Sequence, residues 1–150
     1  MRNLFGALKV NELKTSVSKL RLFQFAMIAS IPMFGWVAEM ARHPGSNSWT
    51  LWHWVVTAVA LWIVYVGSSF RRRMLARATA ALAKDASDPK AIKQWEAGQV
   101  VGMAFAENIV LWGLLVRMVL GGALWQASMF YSVGLILLLY WTPRLPTELA

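Results

Sequence analysis

Two adjacent residues, Glu107 and Asn108, interrupt the apolar run QVVGMAFAENIVLWGLLVRMVLGG at residues 99–122, and Arg117 follows ten positions after the glutamate. A carboxyl group near the centre of a helix that crosses a bilayer must be protonated, paired with a cation or in touch with water. With a span at 98–120 and 1.5 Å of rise per residue, Glu107 falls within roughly 3 Å of the midplane. Two kinds of chemistry suit a carboxyl there. It can tie helices together through a hydroxyl at matching depth, for which Ser30, Thr57, Tyr65, Tyr131 and Ser132 qualify. It can instead carry a proton or a cation. Asn108 points about 100° away around the helix, so the two cannot address one neighbour squarely. It is the second ion or proton candidate, and its amide also suits helix–helix packing.

Arg117 cannot reach Glu107 along its own helix, because ten residues separate them by about 15 Å. Glu39, near the far end of the first apolar run, lies at a similar level. An Arg117–Glu39 ion pair would neutralise both groups; the alternative is an arginine that snorkels to headgroups on its long stem. Arg71, Arg72 and Arg73 close the second apolar run and can contact acidic lipid headgroups or an acidic partner. His43 and His53 are the only histidines, poorly placed to face each other across a haem, and cysteine is absent. The residues offer no metal-ligand set, no cofactor motif, no phosphate-cradling glycine loop and no nucleophile–base pair. No catalytic residue is assigned, and an enzyme is not expected.

The elements that position these groups follow from hydropathy. The chain has 150 residues, 58% of them hydrophobic, with nine Trp and only 15% charged. A soluble domain of this size cannot bury that much apolar surface, whereas a lipid-facing bundle has no need to. The reading is an all-α, integral-membrane four-helix bundle forming a single domain over residues 1–150. Spans are expected at about 22–41, 50–70, 98–120 and 124–141, with a helical hairpin at 71–97. Within residues 1–21, Leu13, Val17 and Leu20 recur at helical spacing among basic residues, which predicts an amphipathic interfacial helix. Pro32 falls mid-span and removes the hydrogen bond to the carbonyl near Ile28. Trp49, Trp52 and Trp54 form an interfacial aromatic belt. No breaker separates Arg73 from Lys84, so the second helix should project well beyond the lipid. Asp88 and Pro89 are an N-cap and a first helical residue, so the third helix should start there and end at Gly121-Gly122. Gly102, Ala106, Ile109 and Gly113 make a mostly small stripe suited to close packing.

The net charge of +8 resides almost wholly in two segments flanking apolar runs. Arg2, Lys9, Lys14, Lys19 and Arg21 precede the first span. Arg71, Arg72, Arg73, Arg77, Lys84, Lys90 and Lys93 lie in the central connection, and only Arg42 lies in the opposite loops. That distribution is a topology signal rather than a nucleic-acid footprint, and it places both termini and the central hairpin in the cytoplasm of a bacterial inner (plasma) membrane. The partners expected are the bilayer and a membrane-protein partner or a second copy.

Residues 73–122 distantly resemble the rotor-ring c subunit of F-type ATP synthase. The stretch ARATAALAKDASDP is similar to its polar loop, and GMAFAENIVLWGLLVRMVL to its second helix, with Glu107 where that family holds its ion-binding carboxylate. The whole chain also resembles a group of four-helix bacterial inner-membrane proteins of unassigned function, through Trp95-x-x-Gly98 followed by Gly102-Met103-Ala104-x-x-Glu107 in the third helix. The second resemblance implies fold and location. The expected role is a non-enzymatic accessory or stabilising subunit of a larger membrane complex, and the rival is proton or cation handling at Glu107.

Overall fold

The computed structural model describes the backbone of residues 2–41, 50–85 and 88–144, with side chains from residue 14 onward. Four helices make up this part of the chain: α1 (Arg2–Met40), α2 (Leu51–Lys84), α3 (Pro89–Met118) and α4 (Leu124–Tyr140). There is no strand among the described residues. His43 and Trp49 lie outside them.

Local chemistry explains the boundaries. Asp88 accepts the Lys90 N–H at 2.9 Å, and Pro89 occupies the first turn of α3, where a missing N–H costs nothing. From there α3 runs unbroken through Gly98 and Gly102. It stops at Met118, short of the glycine pair expected to end it. Gly121 then takes a φ of 64°, and the Gly122 N–H closes onto the Val116 carbonyl at 2.9 Å. This wider closure of the helix end needs a residue at ease in the left-handed region, which Gly121 supplies. α2 passes through the three arginines to Lys84 without interruption, as its alanine-rich sequence predicts.

α1 differs from expectation. Residues 2–21 do not form a separate helix; they continue without a break into the apolar part, through Pro32. Val17 and Leu20, whose spacing suggested a lipid-facing stripe, are buried in one core with Ala78, Leu82, Ala91 and Trp95 of the hairpin. The amphipathic signal is real, but its apolar side has protein to cover it.

Residues Lys14–Met40, Leu51–Lys84 and Pro89–Met118 are each long and apolar enough to cross a membrane. α4 has 17 residues, about 25 Å of helix, near the lower end of what a span requires. Trp36, Trp52, Trp54, Trp62 and Trp125 all point outward. An exterior studded with large aromatics is that of a membrane protein.

The helices are not arranged as a square. α3 is the hub. α4 packs on its Ala106–Val110–Gly113 face, where Gly134 sits so close to the Val110 methyl and the Ala106 carbonyl that a Cβ would not fit. α2 covers the side bearing Gly102 and Phe105, and α1 the side bearing Glu107. α1 and α2 meet only marginally. The fourth face of α3, along Ala97, Val100, Ala104, Asn108 and Leu111, is therefore exposed.

Candidate functional site

Polar side chains gather at three levels along the bundle. At one end α1 and α3 bring Glu39 and Arg117 together. Arg117 Nε donates to Glu39 Oε1 at 2.7 Å and Nη2 donates to Oε2 at 2.8 Å, a two-pronged contact that matches the planar guanidinium to the carboxylate. Nη1 donates to the Gly122 carbonyl at 2.7 Å. One buried arginine thus fastens α1 to α3 and to the turn that ends α3. His53, 2% exposed, lies beneath the same turn. Its Nδ1 is 2.7 Å from Thr50 Oγ1 and accepts the Thr50 N–H at 3.2 Å, closing the first turn of α2. Gln126 does the same for α4, its Oε1 accepting the Ala123 N–H at 2.6 Å. Both are helix caps.

The middle level is sparse. Of the five hydroxyls at matching depth, Ser30 is the one that reaches Glu107, with Oγ and Oε1 3.3 Å apart. The same hydroxyl lies 2.7 Å from the Met27 carbonyl of its own helix. Thr57 bonds back to the His53 carbonyl, and Tyr65 and Ser132 are exposed. Tyr131 lies between this level and the Glu39–Arg117 pair, its ring wedged against Gly113 and Gly35. Among the described residues its hydroxyl is buried without a hydrogen-bond partner. Glu107 itself is half-buried.

Asn108 does not join Glu107. It is exposed on the open face of α3, where its Oδ1 accepts the Trp112 indole N–H at 2.9 Å. Beside it a shallow groove is lined by Ile63, Val101, Ala104 and Phe105. An amide turned out of its own bundle at mid-span does not serve as internal packing glue, the role its residue type suggested.

At the opposite end lies Arg71, and it separates from its two neighbours. Arg72 and Arg73 are exposed, whereas the Arg71 chain lies across α3 over Gly102. A Cβ at Gly102 would come 2.5 Å from Arg71 Cδ and 2.6 Å from Nε. Arg71 Nη2 donates to Gln99 Oε1 at 2.9 Å, and the guanidinium sits 5.3 Å over the Trp141 ring. The carbonyls in the last turn of α4 and just beyond it are met by side chains. Gln24 of α1 donates to the Leu138 carbonyl and Arg21 to that of Pro143 at 3.4 Å, while Thr142 Oγ1 donates to Leu139 at 2.6 Å. Residue-type reasoning passed over Gln24, Gln99 and Gln126, although a glutamine inside an apolar run was visible in each case.

No family model matches the chain, and neither curated proteins nor solved structures provide a match.

Proposed function

We propose that this chain is a non-enzymatic, multi-pass protein of the bacterial inner membrane that acts as an accessory or stabilising subunit of a larger membrane assembly. The observation that carries the reading is Asn108. Ser30, Thr57, Glu107 and Tyr131, near it in depth, are at least partly buried, whereas Asn108 is exposed and its amide nitrogen has no hydrogen-bond partner among the described residues. An amide presented to hydrocarbon is unfavourable, and pairing with a polar group on another helix relieves it. Small and medium side chains beside it, at Ala97, Val100 and Ala104, let a second backbone approach closely. The partner is a transmembrane helix of another protein or of a second copy. Positive charge at the Arg71 end orients that end and both termini toward the cytoplasm.

Site-specific photo-crosslinking in native membranes tests this. A photoreactive residue at Ala104 should give one protein adduct of discrete mass, while one at exposed Trp62 on α2 should give lipid adducts alone. Lipid adducts alone at both positions would overturn the reading, and the adduct mass separates a foreign partner from a second copy.

A second reading, proton or cation handling at Glu107, draws support from Tyr131. Its hydroxyl, unpartnered among the described residues, lies between Glu107 and the Glu39–Arg117 pair, so titratable groups are strung from mid-span toward one end. Toward the other end the α3 face beyond Glu107 offers Met103 and Gly102 before Gln99. That gap disfavours a continuous relay. Ion flux through reconstituted vesicles that disappears in Glu107→Gln would establish this second reading over the first.

A further inference from the structure

The Arg71 level holds more cation than its protein partners explain. α2 changes there from an apolar run to a charged one, and α4 ends there at Trp141, so this is the depth at which hydrocarbon gives way to headgroups. An open recess of about 640 Å³ lies at this junction, with Arg71, Gln99, Tyr140, Thr142 and Arg144 on its walls. Among the described residues no carboxylate pairs with Arg71 or Arg144. Among the described residues, Arg71 Nε is buried without an acceptor, and the guanidinium makes one hydrogen bond, from Nη2 to Gln99. A guanidinium has five donors, and a half-buried one left short of acceptors is a site waiting for an oxyanion.

The setting holds the guanidinium still. Gly102 gives the side chain its bed, because any Cβ there would strike Cδ and Nε, and Trp141 supports the cation from below. The nearby carbonyls of Leu138, Leu139 and Pro143 take Gln24, Thr142 and Arg21, and none of them accepts from Arg71 among the described residues. A second, smaller groove of about 250 Å³ adjoins the recess through Leu139 and Thr142 and runs along α1 past Phe25 and Ile28. It is almost wholly apolar below Arg21 and Gln24. A polar, doubly cationic recess joined to an apolar groove has the chemistry of an amphiphile with a phosphate at its head.

We propose that this junction binds one anionic phospholipid, its phosphate held by Arg71 and Arg144 and an acyl chain laid against Phe25, Ile28 and Leu139. Planar guanidinium donors suit phosphate oxygens, and basic pockets between spanning helices are a recurrent headgroup site. The site lies away from Asn108 and does not depend on the partner reading.

The full chain, delipidated in a neutral detergent, can be titrated with phosphatidylglycerol, phosphatidylcholine or inorganic phosphate while native mass spectrometry counts bound lipid. One phosphatidylglycerol per chain is expected, preferred over phosphatidylcholine by about tenfold, because both carry the phosphate but the choline ammonium of the latter is repelled by the two guanidiniums. Arg71→Gln and Arg144→Gln should each remove most of that preference. Gly102→Ala should weaken it by displacing Arg71, and exposed Arg72→Gln should leave it intact. Far-UV circular dichroism checks that each variant keeps its helices, and Arg144→Gln, on an exposed side chain, carries the test should Arg71→Gln fail to fold. Equal binding by wild type and Arg144→Gln, or equal loss in Arg72→Gln, would overturn the proposal. Saturating inorganic phosphate should not displace the lipid; displacement at millimolar concentration would identify a free phosphate as the ligand and overturn the lipid assignment.

Discussion

Glu39 and Glu107 are both acids on membrane-spanning helices, and their partners give them different roles. Glu39 meets a guanidinium with both oxygens at 2.7 and 2.8 Å, though about a third of its side chain remains exposed. Glu39→Gln leaves Arg117 with two of its three acceptors and without the neutralising charge, and exposure moderates the loss. Helix unfolding in mixed detergent should therefore show a cost of about 1–2 kcal/mol. Arg117→Lys should cost a similar amount, because an ammonium cannot bridge the carboxylate and the Gly122 carbonyl together. Unchanged unfolding curves for both variants would deny the pair a structural role. Glu107 has a single hydroxyl neighbour at 3.3 Å. Glu107→Gln keeps size and a donor and should assemble as wild type does, whereas Glu107→Leu should cost on the order of 1 kcal/mol by removing the polar tie between α1 and α3, Ser30 keeping only the Met27 carbonyl of its own helix. Equal stability of the Gln and Leu variants would contradict that tie. The types and spacing of Glu39, Arg117 and Glu107 were legible in the sequence because charge in an apolar run is conspicuous. The separation of Arg71 from Arg72 and Arg73 was not, because it depends on which helix face meets Gly102 and Trp141.

Among elements, α3 governs the packing, and its small residues set how near the others come. Gly134 of α4 leaves no room for a methyl against Val110 and the Ala106 carbonyl, which is backbone and cannot yield. Gly134→Ala should destabilise the α3–α4 pair by about 1–3 kcal/mol. Gly35→Ala, whose new methyl would find its nearest neighbour 3.9 Å away, should change stability by less than about 0.5 kcal/mol. A Gly134→Ala protein as stable as Gly35→Ala, measured by thermal loss of helicity, would refute this contact. The helix starts and lengths were readable: Asp88-Pro89 announced α3, and the unbroken alanine-rich run announced the extension of α2. The fusion of residues 2–21 with the first span was not, since an amphipathic stripe covered by lipid and one covered by a hairpin have the same period.

For the whole molecule, the proposed topology follows from the basic segments and places both termini on the cytoplasmic side. A reporter fused after Ala150 should be active only in the cytoplasm, and periplasmic activity would reverse the topology. The sequence implied four packed helices, but not that α1 and α2 would stand apart and leave Asn108 and Ala104 uncovered. Arrangement around a hub is a property of contacts between distant residues, which hydropathy does not encode. The proposed function requires that this open face of α3 be covered by a helix from outside the chain. Its most direct test is the size of the assembly extracted from native membranes in a mild detergent, wild type against Asn108→Leu. The wild-type chain should migrate in one discrete assembly larger than a detergent-bound monomer, and Asn108→Leu should shift to the monomer with its helical content unchanged. A wild-type chain that runs as a monomer, or an Asn108→Leu chain that stays in the assembly, would contradict it.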